Sequence, residues 1–266
     1  MAPITVDGLD VDDATIDGDV VDEITMDGDV VFTRVPDIPD SVIYHAEFSE
    51  GSGTTVSDSV GNLDADFNSI SWQSDAGLEG FYGELDGTDD FGSLGSASHD
   101  VLTHFPQNEP ATFNLWIKPD SITSRGHYFG NRFRTATVGF GGEVSDGDLT
   151  TYIVDGSGST LASTGGSPTN WNDGDWTAVA VTTDGGELNV YGATPANNYN
   201  LENVATTSFG TGTTDDLTHD IEIGRDGHNG GRRYFGGGID DIRYHNVERS
   251  QSELQDWVDS TKSNYE

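Results

Sequence analysis

The sequence contains no cysteine, so no disulfide staples the fold and no thiol carries chemistry. Secreted proteins can lack cysteine too, so the compartment stays open. Basic residues are scarce: 11 Lys and Arg stand against 47 Asp and Glu, a net charge of −36. Lys118 and Lys262 are the only two lysines. Such a chain lacks the basic footprint that nucleic acid requires and is repelled by anionic membranes. No apolar run approaches the ~20 residues that cross a bilayer. The opening segment, Met1 to Asp7, has neither the basic stretch nor the apolar core of a signal peptide. The expectation is a protein that is not membrane-bound and leaves a cell, if at all, by another route.

What is present is acid, glycine and patterned apolar residues. The acids run along the whole length rather than in one tail. At molar salt the Debye length falls to ~3 Å, which screens the self-repulsion of such a surface. An evenly acidic, lysine-poor globular chain therefore reads as adapted to very high salt. A disordered polyanion is the competing reading. It conflicts with a content of 33% hydrophobic and 10% aromatic residues, which are well patterned.

The first 32 residues repeat with a period of ten: Ile4-Thr5-Val6-Asp7-Gly8, Ala14-Thr15-Ile16-Asp17-Gly18, Ile24-Thr25-Met26-Asp27-Gly28. Asp-Gly suits tight hairpin turns because both positions tolerate positive φ. The alternating apolar residues between them read as short strands. A segment of ~30 residues buries too little apolar area to fold alone. Residues 1–34 are therefore expected to anchor an assembly, with added strands on the main sandwich as the alternative. Residues 35–41, carrying Pro36 and Pro39, read as a stiff linker.

From residue 42 to 266 short apolar alternations are punctuated by Gly, Asp, Asn and Ser turns. This predicts an all-β antiparallel fold, a β-sandwich or jelly roll. One short C-terminal helix is expected, capped by Ser250 with Glu253 completing a capping box. Its face of Leu254, Trp257 and Val258 is expected to seal one end of the sandwich.

No catalytic set emerges. Glu84-Leu85-Asp86 has the alternation of a glycosidase carboxylate pair, which needs a rigid strand and a separation of ~5–5.5 Å. Here it runs directly into an apparent turn at Gly87-Thr88. No nucleophile elbow precedes a helix. His127, His228 and His245 share no zinc-ligand spacing. The arginines are more telling because they are rare. Arg125, Arg132 and Arg134 fall in one Gly-rich stretch, and Arg225, Arg232 and Arg233 in another, with His127, His228 and Tyr234 alongside. If the two stretches meet, Arg forks and aromatic faces could hold an anionic glycan. The alternative is that each Arg pairs with a carboxylate of this chain or of a neighbouring subunit.

Seven segments in order resemble the LamG-like jelly-roll family of the concanavalin A-like lectin/glucanase group. They include Tyr44–Gly53, Leu85–Phe91, Ala111–Pro119, Trp176–Val181 and Phe235–Tyr244. The resemblance implies a binding domain and a structural Ca²⁺, for which Asp58, Asn62 and Asp240 are the matching candidates. The N-terminal repeats resemble the leading segments of structural proteins from tailed viruses of salt-loving archaea. That resemblance implies a non-enzymatic virion protein, such as a capsid decoration, turret or tail-fibre subunit. It would assemble as a trimer or pentamer, contact other virion proteins through its repeats and reach host envelope glycans through its sandwich. The competing functions are a secreted or cell-surface carbohydrate-binding module of a halophile and a divergent glycoside hydrolase.

Overall fold

The computed structural model describes residues 41–96, 98–105, 109–131, 139–155, 159–210, 219–226 and 233–266, together with the paired strands of the first 33 residues. The chain divides into two units, Met1–Pro39 and Asp40–Glu266. In the first unit three hairpins follow one another. They pair β1 (Ile4–Val6) with β2 (Leu9–Val11), β3 (Thr15–Ile16) with β4 (Asp19–Val20), and β5 (Glu23–Met26) with β6 (Asp29–Thr33). The innermost pairs are Val6 with Leu9, Ile16 with Asp19 and Met26 with Asp29. The Asp-Gly pairs expected to form the turns lie outside the described residues. Residues 35–40 of the expected linker lie outside the described residues.

The second unit is two eight-stranded antiparallel sheets. In the first, β17 (Thr160–Gly166), β16 (Asp148–Val154), β15 (Gly139–Ser145) and β14 (Gly126–Gly130) lead to β21 (Glu222–Ile223), β12 (Gly92–Ser93), β9 (Ala65–Phe67) and β8 (Thr55–Val56). In the second, β10 (Ser71–Gln73), β11 (Tyr82–Asp86), β22 (Gly236–His245), β13 (Ala111–Pro119), β18 (Thr177–Thr183), β19 (Glu187–Ala193) and β20 (Glu202–Ser208) follow in that order. The last member, β7 (Val42–Ala46), shares the outer edge of β22 with β11. Alternate residues of the two sheets meet in one core, among them Leu115, Ile117, Val179 and Val181 from one side and Phe129, Phe140 and Ile153 from the other. A one-turn helix, α1 (Ser98–Val101), was not expected from the sequence.

The C-terminal helix α2 (Gln251–Thr261) carries the expected capping box, with the Ser250 side chain accepting from Glu253 N and the Glu253 carboxylate accepting from Ser250 N. Its position corrects one expectation. Leu254, Trp257 and Val258 do not seal an end of the sandwich. They join a second apolar cluster with Trp116, Ala178, Ala180 and Tyr191 on the outer face of the second sheet. The small Ala178 and Ala180 leave room for the helix, which alternation alone does not reveal.

A bulge in β22 decides what lies beneath that helix. Ile239, Ile242 and Tyr244 face the main core, so the two-residue period is interrupted between 239 and 242. Asp241 takes a positive φ of 46°, and the register with β13 shifts at this point. A two-against-one β-bulge has this effect. It directs two consecutive acids under α2. Asp241 accepts from Arg243 Nε at 2.7 Å, His45 Nε2 at 2.8 Å and Trp257 Nε1 at 2.9 Å. Burial pushes its carboxyl up, but Arg243 and His45 outweigh that and hold it near a pKa of about 2. Asp240 Oδ2 accepts from Tyr265 Oη and Leu78 N, both at 2.7 Å. Burial, reinforced by Asp241, raises the Asp240 carboxyl well above the usual range.

Asp240 therefore has the sign of a group that favours folding when protonated. Its contribution is full below the unfolded value near 4 and is lost as pH rises through the folded pKa. Asp240→Asn is expected to melt higher than the parent at pH 8, with the difference closing towards pH 4. Melting curves at pH 4, 6 and 8 test this, and a difference independent of pH would contradict it.

Candidate binding rim and neighbouring cleft

Strand pairing places His127 directly opposite Glu143, and Gly141 opposite Tyr152. All lie on the outer face of the first sheet. A Cβ at Gly141 would stand 2.5 Å from the Tyr152 hydroxyl, so only glycine lets that ring lie across β15. The Tyr152 hydroxyl then reaches His127 Nδ1 at 2.7 Å, while His127 Nε2 meets Glu143 at 2.7 Å. In the neutral imidazole this fixes the tautomer, with Nε2–H donating to Glu143 and the tyrosine hydroxyl donating to Nδ1. Burial lowers the His127 pKa, against the pull of Glu143.

Arg125 grips the same carboxylate as a fork, Nε at 2.8 Å and Nη2 at 2.5 Å. Arg233 Nη1 approaches it at 3.6 Å, and Asp226 lies 3.9 Å from His127. Glu143 is 1% exposed, so such an ion would be costly without partners. Burial pushes its carboxyl up, yet His127 and Arg125 hold it at about 2. Arg125 remains 39% exposed along its side chain. With Nε and Nη2 engaged, its Nη1 donors are left for another molecule.

The two arginine stretches do meet among the described residues. His127 N donates to Arg233 O at 3.2 Å, and His127 forms a parallel bridge with Tyr234. Arg125, His127, Arg233 and Tyr234 thus share one rim. Arg132, Arg134, His228 and Arg232 lie outside the described residues. Arg225 forks onto Glu222 and lies 3.3 Å from the centre of the Phe91 ring. Beside the rim opens a cleft of about 190 Å³, lined by Asp86, Asp120, Ser121, Ser124 and Tyr234 among others. Glu143 and Tyr152 escaped the sequence reading. The one cue was a lone acid in the Gly-rich stretch Gly139–Val144, and Tyr152 looked like ordinary strand packing.

The proposed calcium ligands are not drawn into one cluster. Asp58 accepts from the backbone N–H groups of His45, Val60 and Leu63, which shapes its own turn. Asn62 is exposed, and Asp240 lies under α2 as described. Among the described residues the group of acids close enough to share an ion is Asp86, Asp89 and Asp90. Asp86 Oδ1 there accepts three backbone N–H groups of its own turn. Those bonds lower its pKa and give it a turn-capping role. Neighbouring Glu84 is raised by burial and by Asp120.

Two facing antiparallel sheets with loops gathered at a rim define a jelly-roll domain of the lectin-like class. Residues 86–255 match the laminin G family model described as the concanavalin A-like lectin/glucanases superfamily, and the chain belongs to that family. No curated protein matches it. Solved structures share the fold at low identity. One is the receptor-binding domain of the botulinum neurotoxin C/D mosaic serotype, with TM-score 0.59 and 14% identity, covering 84% of this chain and 52% of that one. A second is the receptor-binding domain of botulinum neurotoxin type G, at 0.56 and 11%, covering 83% and 51%. A third is domain 4 of AbnA, a GH43 extracellular arabinanase from Geobacillus stearothermophilus solved with arabinotriose, at 0.55 and 18%, covering 81% and 97%. The chain spans about half the length of the toxin domains.

Proposed function

We propose that this chain is a non-catalytic binding subunit whose sandwich recognises surface glycans at the Arg125–Tyr234 rim. The observation that carries the reading is the convergence of Arg125, His127 and Arg233 on buried Glu143 beside the cleft. That network holds the rim rigid, so a ligand does not have to order it. Hydroxyl and carboxylate groups of Ser121, Ser124, Asp86 and Asp120 match the hydroxyls of a sugar, and Tyr234 adds an amphipathic aromatic surface. The kinship with receptor-binding and arabinose-oligomer-bound domains supports this by fold alone.

In the same reading the chain is a virion surface protein of a salt-loving archaeal virus, a decoration, turret or fibre subunit. The hairpins of the first 33 residues assemble it into a trimer or pentamer and seat it on other virion proteins. A two-stranded hairpin is marginal in water on its own, which favours such packing. The high acidity supports a molar-salt setting.

Binding of the full chain to an oligosaccharide panel including arabinotriose, in molar salt, tests the rim. Tyr234→Ala is expected to weaken binding by about tenfold or more, the effect of losing an aromatic contact with its hydroxyl. No binding by the parent protein, or binding indifferent to Tyr234→Ala, would overturn the rim assignment. Release of reducing sugar, abolished by Glu84→Gln, would instead establish a hydrolase.

A further inference from the structure

A larger cavity, about 580 Å³, opens on the other sheet beside α2. None of the candidate site residues named from the sequence lines it, yet both lysines of the chain do, Lys118 and Lys262. Lys262 is held by Asp259 at 2.6 Å. Lys118 has a different setting. Its Nζ lies 5.5 Å from the centre of the Tyr82 ring and 6.0 Å from that of Trp176. Its hydrogen-bond partner is the Tyr82 hydroxyl, at 3.5 Å. No carboxylate among the described residues reaches Lys118 within ion-pair distance. Glu84 acts on it only from beyond that distance, and a cation positioned by aromatic rings without a paired acid has spare capacity for an outside anion.

The wall opposite is rigid and strained. Asn198 and Tyr199 both take a positive φ of 56°. For a bulky residue such as tyrosine this conformation is strained and persists only where surroundings impose it. Here α2 imposes it. Gln255 Nε2 donates to Tyr199 O at 3.1 Å, Leu201 N donates to Gln255 Oε1 at 2.7 Å, and Gln251 Nε2 donates to Leu201 O at 2.8 Å. The Tyr199 ring packs edge-on against Trp116, centroids 5.4 Å apart. Asp75, Asp175 and Glu266 supply acceptors at the cavity wall. An ammonium beside hydrogen-bond acceptors, in a preformed cavity of sugar size, is complementary to a ligand that carries one anionic group among hydroxyls.

We propose that this cavity is a second binding site, separate from the rim, and takes a monosaccharide unit bearing a carboxylate, with Lys118 receiving the carboxylate. The wall acids receive its hydroxyls and disfavour ligands that are anionic throughout. The site does not depend on the rim reading, because its residues and its sheet are different.

Calorimetry and saturation-transfer NMR on the full chain in molar salt test it with three probes: methyl α-D-glucuronide, methyl α-D-glucoside and acetate. The glucuronide is expected to bind at least about tenfold more tightly than either of the others, the value of one charge-assisted hydrogen bond. Lys118→Met is expected to erase that preference, and Lys262→Gln to reduce it, with melting temperature and circular dichroism confirming that both variants fold. Tyr234→Ala is expected to leave it unchanged, which separates this site from the rim. Equal binding of glucuronide and glucoside, or a preference that survives Lys118→Met, would overturn the proposal. So would acetate binding as tightly as the sugar acid, and so would the absence of binding.

Discussion

Asp241→Ala is expected to lower the melting temperature by roughly 6–20 °C at pH 7, which corresponds to ~3–5 kcal/mol for breaking a buried ion pair in a domain of this size. Asp241 is 0% exposed and joins three elements: Arg243 of its own strand, His45 of β7 and Trp257 of α2. Removing it strands a guanidinium and an indole N–H in a dry layer, where unpaired groups cost most. Asp241→Asn keeps one acceptor and is expected to fall between parent and alanine variant. The pH dependence has a definite sign. A carboxyl depressed to about 2 contributes stability that is complete above the unfolded value near 4 and lost as pH falls towards 2. The alanine variant should therefore lack that part of the acid limb. Thermal unfolding monitored by circular dichroism decides it, and a shift under about 2 °C would show that the bulge network does not stabilise the sandwich.

Dialysis from molar salt to ~0.1 M is expected to cost the protein its compact structure. The chain carries −36 in 28.4 kDa. Lowering salt stretches the Debye length from ~3 to ~10 Å, so carboxylates across the surface begin to repel one another. Only part of the acid content is held by local partners. Asp86 and Asp184 accept backbone N–H groups of their own turns, and those bonds lower both pKa values. Glu143 and Asp241 have arginine partners. In the proposed molar-salt setting the exposed remainder is screened by dissolved ions. Loss of near-ultraviolet circular dichroism and a larger hydrodynamic radius, both restored by KCl and not by sucrose, would show screening at work. A melting temperature that is the same at 0.1 M and at molar salt would refute it.

These two tests probe different layers, and so do the two proposed binding sites. The rim is a network of opposite charges on the first sheet, whereas the cavity beside α2 joins aromatic packing to a lysine that no carboxylate among the described residues reaches within ion-pair distance. A ligand bound at both would read different parts of one glycan chain. That gives a physical basis for avidity without any motion in the fold.

The all-β class, the strand periodicity, the short paired strands of the N-terminal repeats, the helix cap at Ser250 and the family were legible in the sequence, because all depend on local patterns of residue type. The meeting of the two arginine stretches was legible only as a condition. Tertiary structure alone decided that Glu143 is the carboxylate on which Arg125, His127 and Arg233 converge, since those residues are distant in sequence and joined by strand register. It also decided that α2 covers a sheet face, that a bulge turns Asp240 and Asp241 under it, and that Lys118 and Lys262 line the same cavity. Each is a relation between segments far apart in the chain, fixed by which surfaces close against each other, and no local pattern encodes that.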